Sequence, residues 1–367
     1  MATEQLFTDQ PIARMPITRT GALPAVRRPW LLPVLVAGLL ATVLVSAGVG
    51  AVFISPAEVL GMAGHHFGLA AAPDETKTVI LTTIRLPRVC LGLLIGSGLA
   101  VAGAAMQGLF RNPLADPGLI GISSGASLAA VCMIVLELTL FQQLGGLLGY
   151  YALSVVAFLG ACGTTLLVYR LARVAGQSVV TTMLLAGIAI NALAGALTGL
   201  LTYLATDDQL RTITFWSLGS LGGASWTTVL ALLPFTGVVL VGLPRLAKSL
   251  NLLSLGESQA TMLGVNLTGL KRQVIVLSTL AVGTSVAVAG IIGFVGLVIP
   301  HLIRLVAGAD HRRVLIGSAL GGAIVLTGAD ALARTIVAPA ELPIGILTAL
   351  LGTPVFLWML INERTRS

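Results

Sequence analysis

The stretch Asn251–Arg272, NLLSLGESQATMLGVNLTGLKR, is a polar segment between two long apolar runs. It predicts two short helices, Leu252–Gly256 and Glu257–Leu263, before the next apolar run begins. Gly256 and Gly264 would end these helices, since glycine readily adopts the left-handed backbone that follows a helix. A structured loop of this length between apolar runs indicates a contact surface for another protein. The alternative is an amphipathic loop that lies on a membrane.

The whole chain is far more apolar than a soluble protein. Of its 367 residues, 56% are hydrophobic and only 10% are charged, and its mean hydropathy is +0.99. Soluble domains carry about 25% charged residues. The sequence therefore predicts an all-α protein that crosses a membrane many times. Its net charge of +7 does not indicate nucleic acid, because most of the basic residues lie singly or in pairs at the ends of apolar runs, where they anchor helices.

Ten apolar runs predict ten transmembrane helices. The predicted spans are Leu31–Ile54, Leu86–Phe110, Leu119–Leu138, Leu147–Tyr169, Val179–Leu204, Trp226–Leu243, Val274–Gly293, Phe294–Val306, Val314–Val337 and Leu342–Leu360. The eighth is too short to cross a bilayer alone at about 1.5 Å per residue, so it should be shielded by protein. A short amphipathic helix is expected at Thr212–Gly219. Residues 1–29 are polar and predict a disordered cytoplasmic tail before a membrane domain at 30–367.

The basic residues also predict the orientation of the spans. With both termini in the cytoplasm, most of the 21 lysines and arginines fall on the cytoplasmic side, as the positive-inside rule requires. The loop 251–272 is then cytoplasmic. Arg85, Arg88 and Arg334 are exceptions on the outer side. Because arginine pairs bidentately with carboxylates, they indicate a docking patch for an acidic external protein; the alternative is anchoring to lipid headgroups.

Several kinds of chemistry are missing from the sequence. The run Gly264–Gly269 has the glycine spacing of a phosphate-binding loop, but Leu270 replaces the lysine that must follow. We therefore expect no ATP site, no enzyme activity, no cofactor and no metal site in this chain. The three cysteines lie in apolar runs, so no disulfide is expected. Ionisable residues are nearly missing from the spans, which argues against a secondary transporter.

Longer motifs resemble those of one known family. They are Arg85–Arg88 (RLPR), Met106–Phe110 (MQGLF), Asn112–Gly118 (NPLADPG), Gly121–Ala126 (GISSGA), Leu255–Glu257 (LGE), Gly293–His301 (GFVGLVIPH), Asp310–Arg312 (DHR) and Glu341–Gly345 (ELPIG). Together they resemble the permeases of ABC importers for iron-siderophores, haem and vitamin B12, from about Ser55 to Leu360. Within that family, Gly187–Gly195 and Leu210–Gly222 are most similar to the haemin permeases.

The resemblance implies a ten-helix permease of the type II importer class in the bacterial inner membrane. Such a permease forms a homodimer around a central pathway. It works with two cytoplasmic ATPase subunits and one periplasmic binding protein. Haem is the substrate that the resemblance implies, and ferric siderophores and cobalamin stay as alternatives. Whether His65 or His66 contacts the substrate stays open.

The resemblance also implies roles for individual residues. The residues that match coupling helices seated in the ATPase are Leu252, Leu255, Gly256, Glu257, Ala260, Leu263 and Gly264. The residues that match arginines meeting glutamates of the binding protein are Arg85, Arg88 and Arg334. The residues that match gates are Asn112 and Leu114 for one gate and Val180, Thr181 and Thr182 for the other. At the second gate this chain departs from the small hydroxyl pair expected in the family.

Overall fold

The computed structural model describes residues 29–50, 52–66, 74–136, 149–174, 177–337 and 340–364. Its helices are α1 (Leu31–Gly48), α2 (Pro56–His66), α3 (Glu75–Val79), α4 (Leu86–Phe110), α5 (Ile122–Leu136), α6 (Ala152–Leu171), α7 (Val180–Leu204), α8 (Asp207–Leu218), α9 (Trp226–Arg245), α10 (Ala247–Leu253), α11 (Glu257–Met262), α12 (Leu267–Ala289), α13 (Val295–Ala307), α14 (His311–Ala333) and α15 (Ile344–Arg364). A π-helical segment, Ile80–Arg85, joins α3 to α4. Two-residue strands, β1 (Arg173–Val174) and β2 (Gln177–Ser178), pair antiparallel. The predicted tail lies outside the described residues except for Pro29.

The described helices account for all ten predicted spans. Seven are long and apolar enough to cross a membrane, among them the continuous run Glu75–Phe110. Three shorter apolar helices join them: Ile122–Leu136, Val295–Ala307 and Ile344–Met359. The predicted all-α membrane architecture is therefore confirmed.

The amphipathic surface helix begins earlier than predicted. It starts at Asp207 rather than Thr212, because Thr206 and Gln209 form a capping box around its first turn. In this arrangement each side chain bonds to the backbone N–H of the other residue, which satisfies two donors that the first turn leaves free. The prediction started from the apolar positions of the helix and missed this polar start.

Helix α4 is the central element of the bundle. It is buried over most of its length and packs against α9, α12, α13 and α14. A side chain on Gly103 would collide with the carbonyl oxygen of Gly296 at the start of α13, and Gly96 lies backbone to backbone with Gly322 of α14. Glycines of this kind let membrane helices approach closely. The small residues of the second predicted span thus explain why it becomes the core.

The short helix α13 is shielded, as predicted. It follows Phe294, whose backbone is left-handed with φ of 66°. Pro300 and His301 are buried within it, because α13 packs on α4 and α14. A helix of this length needs such shielding, since it cannot cross the apolar layer alone.

The bundle has two ends, distinguished by their contacts. Residues 246–266, here called the connecting loop, lie at one end, the loop end. Gly108 near the end of α4 lies there against Leu250 and the ring of His311. At the opposite end, here called the arginine end, the start of α4 meets the end of α14, where Arg88 pairs with Asp330.

Candidate coupling loop, gate segments and arginine cluster

The connecting loop folds as two short helices separated by glycine. The first, α10, covers Ala247–Leu253 rather than the predicted Leu252–Gly256, because it continues almost directly from α9. The second, α11, agrees with the prediction to within one residue. Gly256 and Gly264 have φ of +119° and +84°. Residues with side chains rarely adopt such positive values, so both positions favour glycine as the sequence indicates.

Apolar side chains project from the connecting loop. Leu255, Met262 and Leu263 are 61%, 87% and 57% exposed. Leu252 is half-buried, and Ala260 is fully buried and so lies beneath this surface rather than on it. Met262 is the most exposed of the three, and the sequence analysis did not select it. Exposed apolar side chains grouped in one short loop are typical of a protein contact surface. We call Leu255, Met262 and Leu263 the apolar tip.

Glu257 fastens the connecting loop to α12. One of its carboxylate oxygens lies 2.9 Å from Nζ of Lys271, whose side chain is only 7% exposed. Glu257 also occupies the first turn of α11, where an acidic side chain is favoured by the helix dipole. Its carboxylate therefore has a structural task within this chain, in addition to any contact with a partner.

Asn251 fastens the same loop to α14. Its Oδ1 accepts hydrogen bonds from the backbone N–H of His311 at 2.9 Å and from Nδ1 of that ring at 2.8 Å. Its Nδ2 donates to Oδ1 of Asp310 at 2.8 Å. This bond is the main reason why the pKa of Asp310 lies below its ordinary value. The sequence analysis did not single out Asn251, because its partners are about sixty residues away in the chain.

The first predicted gate segment begins where α4 ends. Arg111 stops the helix with left-handed backbone, at φ of 51°. The side chain of Asn112 then accepts a hydrogen bond from the backbone N–H of Leu114 at 2.9 Å, which closes a tight turn. Gly108, one turn before this segment, lies against the His311 ring. The connecting loop, the start of α14 and this gate segment are therefore in continuous contact.

The second predicted gate forms the first turn of α7. Within Val180–Thr182, Thr181 is exposed and the other two side chains are half-buried. The two gate segments lie on adjoining elements, since Nδ2 of Asn191 in α7 donates to the carbonyl oxygen of Gly118 at 3.1 Å. This contact joins α7 to the turn that follows Asn112.

The three predicted docking arginines are not free side chains on the surface. Arg85 is 4% exposed. Its guanidinium donates to the carbonyl oxygens of Ala47 at 2.8 Å, Gly48 at 2.7 Å, and Val52. These bonds hold the end of α1 and the following turn against the start of α4. The Arg85 guanidinium therefore faces the interior of the subunit, and its role in docking stays a prediction.

Asp330 joins the other two arginines. Nε of Arg88 donates to its Oδ1 at 2.9 Å, and Nε of Arg334 lies 3.1 Å from its Oδ2. Nη1 of Arg88 also donates to Oε1 of Glu341 at 2.7 Å. Asp330 is 1% exposed and is one of the few acidic residues within the spans. Two neighbouring guanidinium groups compensate its buried charge. Arg88, Asp330, Arg334 and Glu341 are here called the arginine cluster, and Glu341, with its side chain 46% exposed, is the outermost member.

Comparison with known proteins shows the family to which this chain belongs. The chain matches the FecCD transport family over residues 38–362. It belongs to the FecCD transport family. It is 51% identical over 289 residues to the hemin transport system permease protein HmuU of Yersinia pestis, which covers 78% of this chain and 84% of that protein. It is 41% identical over 337 residues to the vitamin B12 import system permease protein BtuC of Salmonella typhimurium, covering 91% and 95%.

A solved structure also resembles this FecCD protein. An inward-facing metal-chelate type ABC transporter superposes with a TM-score of 0.78 at 34% identity, over 91% of this chain and 99% of that one. The chain is therefore a multi-pass membrane permease of the ABC importer class, which confirms the resemblance drawn from the motifs. The FecCD match includes the connecting loop, both gate segments and the arginine cluster.

Proposed function

We propose that this FecCD permease moves haem from a periplasmic binding protein across the bacterial inner membrane. It acts as a homodimer with two separate cytoplasmic ATPase subunits, and both of its termini are cytoplasmic. The observation that carries the choice of haem is the 51% identity to a hemin permease. The 41% identity to a vitamin B12 permease keeps cobalamin as the second candidate, and a ferric siderophore is the third.

The apolar tip would be the part that enters the ATPase. Leu255, Met262 and Leu263 gain free energy when an apolar groove removes them from water, at about 25 cal/mol for each Å² buried. A displacement of the apolar tip would be transmitted to the bundle through two contacts. They are the ion pair between Glu257 and Lys271 of α12 and the hydrogen bonds between Asn251 and His311 of α14. Such fastening allows the ATPases to move the bundle as a rigid body.

The exposure of helix α7 supports the proposal of a pathway between two subunits. It is the least buried of the long apolar helices, with 11% of its apolar window covered within the subunit. It contains no charged residue, and its Thr202 hydroxyl bonds to the carbonyl oxygen of Thr198 rather than pointing a free donor outward. A second subunit would cover this helix. A weakly polar wall cannot hold haem tightly, which favours its release.

The arginine cluster supports a specific form of docking. Glu341 occupies one edge of Arg88 and is nearly half-exposed, whereas Asp330 is buried on the other edge. A carboxylate of the binding protein would replace Glu341 on Arg88. Arg85 and Arg334 would hold the end of α1 in place beneath the docking surface.

The proposed function is tested by uptake into proteoliposomes that contain this permease and its ATPase, with the binding protein added. Haem, a ferric siderophore and cobalamin are offered in turn. We expect ATP-dependent accumulation of haem alone. Accumulation of cobalamin or the siderophore instead would overturn the proposal that haem is the substrate, but it would agree with the importer class. Accumulation without any ATPase subunit would overturn the importer mechanism.

A further inference from the structure

A groove runs along the loop-end half of α12. Two cavities form it, one of about 200 Å³ between α6 and α12 and one of about 400 Å³ between α9 and α12. Arg272 and Val276 line both cavities, so the two lie side by side along one face of α12. The walls are apolar for most of the length and include Phe158 and Leu280. Arg272 and Val276 are exposed, so the groove is open at the outer surface of the bundle.

Positive charge is concentrated at one end of this groove. Arg245, the last residue of α9, and Arg272, in the second turn of α12, line the same cavity. Both side chains are exposed. Neither forms an ion pair with another residue in the described part of the chain. Two arginines at the mouth of an apolar groove complement a phosphate joined to a hydrocarbon chain, since arginine binds phosphate through two parallel hydrogen bonds.

The length of the groove fits one leaflet of a bilayer. From Arg272 to Leu280 the helix rises about 12 Å, at about 1.5 Å per residue, and half of the hydrocarbon core of a bilayer is about 15 Å thick. A separate cavity of about 270 Å³ continues towards the arginine end, past Thr284 and Val288. No lysine or arginine lines that cavity. The charge therefore marks the headgroup level at the loop end only.

We propose that this groove binds an anionic phospholipid of the leaflet at the loop end. The phosphate lies between Arg245 and Arg272, and one acyl chain follows α12 past Val276 to Leu280 and contacts Phe158. Basic pockets between membrane helices bind anionic headgroups by the same physics. The site is independent of the transported substrate. On the proposed topology, the leaflet is the cytoplasmic one, which is rich in anionic lipid.

The test is native mass spectrometry of the purified permease in detergent, titrated with phosphatidylglycerol and with phosphatidylcholine of identical acyl chains. We expect phosphatidylglycerol to bind more tightly. The double variant R245Q/R272Q should lose about 30-fold in affinity for phosphatidylglycerol, from two headgroup contacts, and should bind both lipids alike. The matched control is R312Q, an exposed arginine at the same end but outside the groove, which should behave as wild type.

A second variant tests the apolar half of the site. Val276 is 57% exposed, so the larger side chain of Val276→Trp would fill the groove without entering the core. This variant should weaken the binding of both lipids. Equal binding of both lipids to the wild type would overturn the proposal. A loss of affinity for phosphatidylglycerol in R312Q as large as that in the double variant would also overturn it. A short bis-maleimide that links two copies through Cys162, which lines the groove, would also overturn it, since a second subunit would then cover this face.

Discussion

Asn251 and His311 are joined by two hydrogen bonds to a single oxygen. The Oδ1 atom of Asn251 accepts from the backbone N–H of His311 at 2.9 Å and from its ring Nδ1 at 2.8 Å. This relationship fixes α10 of the connecting loop to the first turn of α14. Because the His311 ring also lies against Gly108 of α4, a displacement of the loop is transmitted to the helix that precedes the first gate segment.

We expect Asn251→Ala to lower the amount of substrate imported per ATP hydrolysed. The variant leaves the buried N–H groups of His311 without their acceptor, at a cost of about 1–3 kcal/mol in stability, and loosens the connection between the loop and α14. The measurement is the ratio of uptake to ATP hydrolysis in proteoliposomes. Ser254→Ala is the matched control, since its hydroxyl bonds only to the backbone oxygen of Asn251. An unchanged ratio in Asn251→Ala would show that this contact does not carry the coupling.

The same asparagine gives the stability of the protein a dependence on pH. Its hydrogen bond is the main cause that lowers the pKa of Asp310. A carboxyl group with a lowered pKa contributes stability above its unfolded value, about 3.9, and loses it as the pH falls through the lowered value. The difference in thermal midpoint between wild type and Asn251→Ala should therefore shrink between pH 6 and pH 3. A difference that is constant over this range would contradict the assignment.

We expect Met262→Asp to separate ATP hydrolysis from transport. Met262 is 87% exposed, so a charge there does not disturb the fold, but it places a carboxylate in the contact surface proposed for the ATPase. Affinity for the ATPase subunit and stimulation of its activity by the binding protein should both fall. Met262→Leu keeps the apolar contact and should behave as wild type. A fully coupled Met262→Asp variant would exclude this surface.

Glu257→Lys is a less direct test of the same surface. The new cation would lie beside Lys271, which is buried and has Glu257 as its ion-pair partner. We therefore expect this change to weaken the packing of the loop itself, with a lower thermal midpoint in detergent. A midpoint equal to that of wild type would show that the ion pair contributes nothing to the fold of the loop.

We expect Glu341→Gln to strengthen docking of the binding protein. Arg88 donates to Glu341 and so lowers the pKa of this carboxyl group, which keeps it ionised at neutral pH as a competitor for an external carboxylate. Removing a half-exposed partner should improve affinity by up to about fivefold at low salt, with a smaller gain at high salt. The measurement is a titration of the binding protein onto permease in nanodiscs. The control is Glu58→Gln, which removes the partner of Lys77 rather than the partner of an arginine in the cluster. Weaker docking to Glu341→Gln would refute the proposal that a carboxylate of the binding protein replaces Glu341 on Arg88.

Asp330→Asn should destabilise the whole bundle. It leaves the buried guanidinium groups of Arg88 and Arg334 without the carboxylate between them. Removal of one partner from a buried ion pair costs about 3–5 kcal/mol. The thermal midpoint of the purified permease should fall clearly, and that of Glu341→Gln should change little. Equal midpoints for Asp330→Asn and wild type would contradict this role.

The sequence predicted those features that are determined by residues close together in the chain. The ten spans follow from apolar length, and the breaks at Gly256 and Gly264 follow from the backbone freedom of glycine. The start of α8 was missed because its capping residues are polar and precede the apolar pattern. The burial of Ala260 was missed as well. A short helix has one covered face and one exposed face, and the sequence of a loop does not say which is which.

The sequence by itself determined the class of this protein, its helices and its family, because hydropathy, helix length and motif identity are properties of continuous segments. Only the tertiary structure decided what the charged groups do. Arg88 and Asp330 are 242 positions apart, and the close packing of α4 on α14 through glycine brings them together. A charge that is buried in an apolar bundle without an ion-pair partner is strongly destabilising, so its partner can come from any part of the chain that the fold brings close. For that reason Arg85, Arg88 and Arg334 became internal contacts, while Met262 and Glu341 remained accessible to a partner.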